Sequence, residues 1–297
     1  MIRSLRSFDQ DARFLFFHFE DLSVKQLETF GEIGVELYSI QSFLGQSIFT
    51  SLVDSREYIE LLWTLPSVIA KNLVSEFLNS RITDVVYLDA DLFFFGSPAR
   101  IWEEVPLNEI SIVRHNFSAR LESEFPKSGE FNVSWVSFPT TNIGFECVSE
   151  WATNCILLCP KTPTFLNGRL VYGDQLYLED WPNRFKGSLH VIRNLGVGVA
   201  PWNYENYEIT ETKPILVNST PLIFFHFSSH QFGFFLARKM GTVYSAISPI
   251  PEEIYRVYEY SLLKACQDLG FKNWKSRFES VHIRLFKNLM RRFKSSS

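Results

Sequence analysis

Between residues 84 and 98 an apolar run, Val85-Val86-Tyr87-Leu88, ends on two carboxylates, Asp89 and Asp91. Leu92-Phe93-Phe94-Phe95 and a Gly96-Ser97-Pro98 turn follow it. A short run of β-branched and aromatic residues bounded by turn formers reads as a buried strand, here with acids at its end. Carboxylates gathered there repel one another unless a proton or a cation lies between them. Other short apolar runs alternate with longer helical patterns, which points to an α/β protein built on a layered sheet. Strands are predicted at 14–20, 35–40, 84–95, 110–113, 133–138, 188–192 and 221–227. Helices are predicted at 21–30 (capped by Asp21 or Ser23), at 56–80 with an interruption near Pro66, and at 142–158, 174–180 and 252–269.

Composition excludes several classes. The 297 residues are 46% hydrophobic and 21% charged, with 14 Gly and 13 Pro, so the chain is neither disordered nor collagen-like nor of low complexity. Met1–Ala12 lacks the apolar run of a secretory signal, and no segment approaches the ~20 apolar residues that span a bilayer. The expectation is a cytoplasmic protein with Cys147, Cys155, Cys159 and Cys266 reduced. Cys155 and Cys159 stand four apart, at helical spacing on one apolar face, and read as core residues rather than as a metal or redox pair.

Charge is uneven. Residues 272–294 hold eight cations and one anion, which gives this tail +7 and the remainder −11 in a chain of net −4. Trp274, Phe278, Val281, Leu285, Leu289 and Phe293 recur at three- and four-residue steps, a stripe on one side of a helix. Two readings stand. One is a basic amphipathic helix attracted to an anionic membrane surface; the other is a terminal helix packed on its own domain. Nucleic acid is not expected as a partner, because the body is acidic and no aromatic–basic sheet pattern occurs.

On extended backbone, Asp89 and Asp91 leave the strand on the same face. A hard divalent ion, Mg²⁺ or Mn²⁺, suits them and would bridge them to phosphate oxygens. Open α/β sheets place ligands outside the carboxyl ends of their strands, where these acids are expected. Asp-x-Asp alone is a short pattern; the apolar strand before it and the turn after it make it informative. No Gly-x-Ser-x-Gly and no His-Glu-x-x-His is present, and Gly196-x-Gly198 is too little for a dinucleotide fingerprint.

The segment resembles the Asp-x-Asp signature of GT-A glycosyltransferases, close to the glycogenin and lipopolysaccharide-galactosyltransferase type. Three further stretches are similar to that family in the expected order. Glu130–Phe138 resembles its Phe-Asn-x-Gly segment, Tyr172–Leu178 its Asp-Gln-Asp motif, and Phe225–His230 its late strand bearing a histidine. Asn194–Asn203 is similar to a signature of a bacterial branch. The likeness runs from about residue 14 to 232. It implies a GT-A-type, mixed and mostly parallel sheet flanked by helices over residues 1–250, with 251–297 as a helical extension.

The resemblance also implies roles. Asp89, Asp91 and His226 would hold Mn²⁺ or Mg²⁺, with Asp89, Asn132 and Trp202 binding substrate. Asp174 would hold a sugar hydroxyl or the acceptor, and Gln175 would support the anomeric centre by its carbonyl dipole. The implied reaction moves a sugar from a nucleotide-sugar donor, a UDP-sugar foremost, to a glycan or lipid-linked acceptor, with retention of configuration. The expected location is the cytoplasm, from the lack of a secretory signal, with the inner face of the membrane added where the 272–294 stripe is read as membrane-attracted.

The chain departs from the family pattern in places. Met1–Ala12 resembles the end of the helix that follows the family's first strand, so that strand is not seen. No lysine follows His226 closely; His230 and then Arg238 come next. Two alternatives stand beside the transferase: a degenerate, non-catalytic relative docked at a membrane, and an aspartyl phosphatase. The latter wants Thr or Val four residues after its first Asp, where this chain has Phe93.

Overall fold

The computed structural model describes residues 1–232, 238–239 and 250–271. The basic stripe predicted at 272–294 lies outside the described residues. The elements are mixed α/β, and the chain divides into two compact units whose segments interleave. One comprises Thr50–Phe227 with Arg3–Asp9; the other comprises Gln10–Phe49 with the described residues from Ser228 onward.

In the second unit the strand Phe14–His18 pairs in parallel with Val35–Ser39, Phe14 facing Val35. The helix between them, Val24–Glu32, starts where Ser23 and Gln26 form a reciprocal capping box. Phe16 stacks on Phe30 at 4.9 Å, and Phe17 lies against both Tyr38 and Phe43. Thr29 Oγ1 donates to the Asp268 carbonyl, which joins this helix to Glu252–Asp268. Gln231–Phe232 pairs antiparallel with Arg238–Lys239.

The first unit is built on a four-stranded sheet in the order Asp84–Leu88, Phe131–Pro139, Ile110–Arg114, Leu189–Val191. Its outer pairing, Ile110–Arg114 with Leu189–Val191, is parallel; the other two are antiparallel. The mostly parallel sheet expected from the sequence is therefore not what this sheet shows. The chain from His115 to Glu130 carries only a 3₁₀ turn and one four-residue helix, and it returns the strand alongside its predecessor without a crossover. Every residue of Phe131–Pro139 is buried. Behind it Phe138, Trp151, Trp181 and Phe185 form a chain of ring contacts between 5.9 and 6.4 Å.

Two helices, Tyr58–Glu76 and Asn142–Leu157, pack against each other and the sheet. The interruption expected near Pro66 does not occur. Pro66 removes one backbone donor, whereas Leu61, Leu65, Val68, Ala70, Leu73 and Val74 of the same helix are all buried, and that burial outweighs one missing bond. Cys155 and Cys159 are buried free thiols, as the core reading expects, although the helix ends at Leu157 between them.

The expected strand 84–95 is two strands. Asp84–Leu88 belongs to the four-stranded sheet, whereas Leu92–Phe94 pairs antiparallel with Phe224–His226. Residues 89–91 form the turn between them, with Leu92 N–H donating to the Asp89 carbonyl at 3.3 Å. The predicted strand 221–227 likewise divides into Thr220–Pro221 and Phe224–His226. Among the described residues no helix is long and apolar enough to cross a membrane.

Candidate metal centre

The turn, and not an extended strand, sets the two acids. Asp89 is still tied to the large sheet, its N–H donating to the Ser134 carbonyl at 3.2 Å. Asp91 lies past the bend, and its carbonyl accepts from Phe227 N–H at 2.9 Å. Because His226 faces Leu92 in the small ribbon, its ring arrives beside the acids. Its backbone is fixed from the other side, where His226 N–H donates to the Val199 carbonyl at 2.8 Å. Gly196 makes this approach feasible: its carbonyl accepts from Ile223 N–H at 2.8 Å, and a Cβ on it would lie 2.1 Å from the Pro221 oxygen. The Gly196-x-Gly198 fragment is thus a site of close backbone packing.

His226 Nε2 lies 3.0 Å from Asp91 Oδ1 and 3.7 Å from Asp89 Oδ2. One ligand atom from each residue falls within 4.8 Å of the others. His226 is buried, while the Asp91 side chain keeps 41% of its surface exposed, so the cluster is open on one side. Tyr87, two residues before Asp89 in the strand, donates its hydroxyl to Asp89 Oδ1 at 2.7 Å.

Electrostatics inside the cluster are divided. Burial, aided by Asp91, pushes the Asp89 carboxyl above the usual carboxylate range despite the pull of His226. Burial acts the same way on Asp91, but the charge and hydrogen bond of His226 outweigh it and hold Asp91 low. For His226 burial alone would lower the pKa; Asp91 and Asp89 reverse this and raise it. Two acids and one imidazole crowded together, with one acid unwillingly ionised, form a donor set that an O- and N-binding divalent cation fits.

Of the other expected site residues, Asp174 is buried just before the Gln175–Asp180 turn, which is 3₁₀ where an α-helix was predicted. Trp151 Nε1 donates to its backbone carbonyl at 3.0 Å. Burial, with the charge of Asp89 added, pushes its carboxyl up to about 8. Asp174 is thus within electrostatic reach of Asp89 but outside the ligand cluster. Gln175 Nε2 donates to the Ser128 carbonyl at 2.9 Å, so its amide is anchored to the end of the short helix Phe125–Ser128.

Asn132 and Trp202 are buried, at 6% and 3% exposure. Asn132 Nδ2 meets His115 Nε2 at 3.1 Å, and its Oδ1 accepts from Ser134 N–H at 2.8 Å. Trp202 Nε1 donates to the His115 carbonyl at 2.9 Å, and its ring stands edge-to-face with that of His226, 5.0 Å between centroids. The structure adds two residues that the sequence reading passed over. Tyr87 was legible as a same-face neighbour of Asp89; His115, one of six scattered histidines, carries no local signal.

Among curated proteins the chain is 36% identical over 175 residues to the uncharacterized protein YfnD of Bacillus subtilis (strain 168). That match covers 59% of this chain and 55% of YfnD, so the chain spans about half the length of that relative. It is 25% identical over 239 residues to the uncharacterized protein YfnF of the same organism, covering 78% of this chain and 76% of YfnF. No protein-family model matches the chain.

Proposed function

We propose that the protein is a GT-A-type, metal-dependent glycosyltransferase that moves a sugar from a UDP-sugar or another nucleotide-sugar to a glycan or lipid-linked acceptor. The observation carrying this reading is the meeting of Asp89, Asp91 and His226 where a strand gives way to a turn. Breaking a sugar–phosphate bond leaves a diphosphate whose growing charge is the main obstacle. A divalent ion, Mn²⁺ or Mg²⁺, supplies electrostatic stabilisation of that charge when bound. Asp89, Asp91 and His226 would hold it, with Tyr87 orienting Asp89. Asp174, its carboxyl pushed up to about 8 in the metal-free fold by burial and by the charge of Asp89, would hold a sugar hydroxyl. Gln175, its amide nitrogen anchored on Ser128, would offer its carbonyl to the anomeric centre. Residues 272–294 would bring the protein to the cytoplasmic face of an anionic membrane.

The test is calorimetric titration of UDP with and without Mn²⁺, on the wild type and on Asp89→Asn, with a panel of nucleotide sugars assayed for hydrolysis and transfer. Wild-type protein should bind UDP more tightly with Mn²⁺, and the variant should lose that gain while staying folded. Unchanged Mn²⁺-assisted binding in Asp89→Asn would refute the proposal. Nucleotide binding without hydrolysis of any nucleotide sugar would leave a degenerate, non-catalytic relative in its place.

A further inference from the structure

We propose that His115 and Asn132 are positioning residues that hold the Asp89 backbone and the His226 ring in one geometry. The inference rests on the metal-centre reading of Asp89, Asp91 and His226. Those ligands come from two hydrogen-bonded ladders: Asp89 is attached to the four-stranded sheet and His226 to the small ribbon. Some element must fix one against the other, and the buried polar groups between them form a continuous path.

The path starts in a β-bulge. Ile112 faces Val136, but the next residue, Val113, faces Asn132, so residues 133–135 bulge out of the pairing with Ile110–Arg114 while Trp135 keeps its pairing with Leu88. Asn132 Oδ1 accepts from Ser134 N–H inside this bulge, and the Ser134 carbonyl in turn accepts from Asp89 N–H. The Ser134 bond fixes the Asn132 amide, since a backbone N–H can only donate, and leaves Nδ2 facing His115. His115 Nε2 must then accept, and Nδ1 carries the ring proton to the Gly129 carbonyl at 3.0 Å. Each atom in the chain has one consistent role.

From His115 the path reaches His226 in two ways. The His115 carbonyl takes Trp202 Nε1 at 2.9 Å, and the Trp202 ring abuts the His226 ring. The same carbonyl takes Asn203 Nδ2 at 2.8 Å. Asn203 also bonds the Gly198 carbonyl and the Ala200 N–H, which brace Val199, the backbone acceptor of His226. His115, Asn132, Ser134, Trp202 and Asn203 are all buried. With both ends of its amide engaged inside the protein, Asn132 has a scaffold duty that explains its burial. Groups that orient metal ligands typically change affinity by about 10–100-fold when removed.

The test is Mn²⁺ titration followed by electron paramagnetic resonance, on metal-free protein, then with UDP and with UDP-glucose. The variants are Asn132→Ala, Asn132→Asp and Trp202→Phe, each checked for folding by circular dichroism and thermal unfolding. Asn132→Ala should bind Mn²⁺ about 10-fold or more weakly with no nucleotide present. Asn132→Asp keeps an acceptor for Ser134 N–H but loses the donor to His115, and Trp202→Phe keeps an aromatic ring but loses the indole N–H; both should give smaller losses, and they carry the test if Asn132→Ala does not fold. Nitrogen-15 spectra should show the His115 proton on Nδ1. Wild-type Mn²⁺ affinity in these folded variants, with UDP-glucose binding alone weakened, would overturn the inference and leave the metal reading intact. Failure of the wild type to bind Mn²⁺ would overturn both.

Discussion

The Tyr87 hydroxyl donates to Asp89 Oδ1 at 2.7 Å from a position two residues earlier, on the strand that ends at Leu88. Burial pushes the Tyr87 phenol well above its usual range, so it remains a donor at any working pH. A hydrogen bond to the charged form offsets part of the burial that disfavours ionised Asp89. Bonds to charged groups are worth about 1.5–3 kcal/mol. Tyr87→Phe should therefore weaken Mn²⁺ binding about tenfold in a folded protein, measured by titration calorimetry; unchanged affinity would show that the hydroxyl is idle.

Asp174 gives the metal-free protein a pH-dependent weakness. Its folded pKa of about 8 lies above the ordinary value of 3.8, so its contribution to stability is full below that ordinary value. The contribution is lost as pH rises through the window to about 8, because the unfolded chain ionises while the folded one resists. The loss is on the order of a few kcal/mol. Asp174→Asn should raise the Tm at pH 8 and leave it nearly unchanged at pH 4.

At His226 a proton and the proposed ion would compete for one ring nitrogen. Its pKa is raised in the metal-free fold, chiefly by Asp91 working against burial. The stability it lends is present below the ordinary histidine range and declines as pH rises through the folded pKa. Mn²⁺ affinity must move oppositely, strengthening with pH, because the ring has to shed its proton to act as a ligand. Titrations near pH 7 in buffers of differing ionisation heat should show release of up to about one proton. A pH-independent affinity would exclude His226 as a ligand.

Two glycines should respond with opposite signs. A methyl at Gly196 would meet the Pro221 carbonyl at 2.1 Å and Ile223 N at 3.1 Å, both backbone atoms. Gly196→Ala should cost about 1–3 kcal/mol or more and weaken Mn²⁺ binding through the displaced Phe224–His226 strand. Gly31, inside the Val24–Glu32 helix, has nothing within 4 Å of its added methyl. Gly31→Ala should stabilise by about 0.5–1 kcal/mol. Thermal unfolding of the two variants measures both.

Local patterning made much of the fold legible. Ile110–Arg114, Phe131–Pro139 and Asn142–Leu157 fall within a few residues of the elements expected, the two strands buried on both faces and the helix on the side that carries Cys147, Val148, Trp151 and Cys155. Of the two caps expected, Asp21 or Ser23, the capping box with Gln26 selects Ser23. What escaped depends on contacts distant in sequence. Pro66 looks like a break until the buried stripe around it is counted, and 89–91 looks extended until Phe224–His226 draws Leu92–Phe94 into a separate ribbon. The helix Gln46–Ser55 was not anticipated. Within the site, Asp89, Asp91 and His226 were nominated by motif order and do converge; the buried setting of Asn132 was not foreseen, because His115, its partner, is 17 residues earlier and unmarked.

The bend at Asp89–Asp91 joins two ladders that share no strand: the Asp89 amide is fastened to one, and the Asp91 carbonyl and His226 to the other. An ion gripped by all three side chains would act as a rivet through that seam. Prying the ribbon from the sheet would then require ejecting the ion, and the melting of both ladders would become one event.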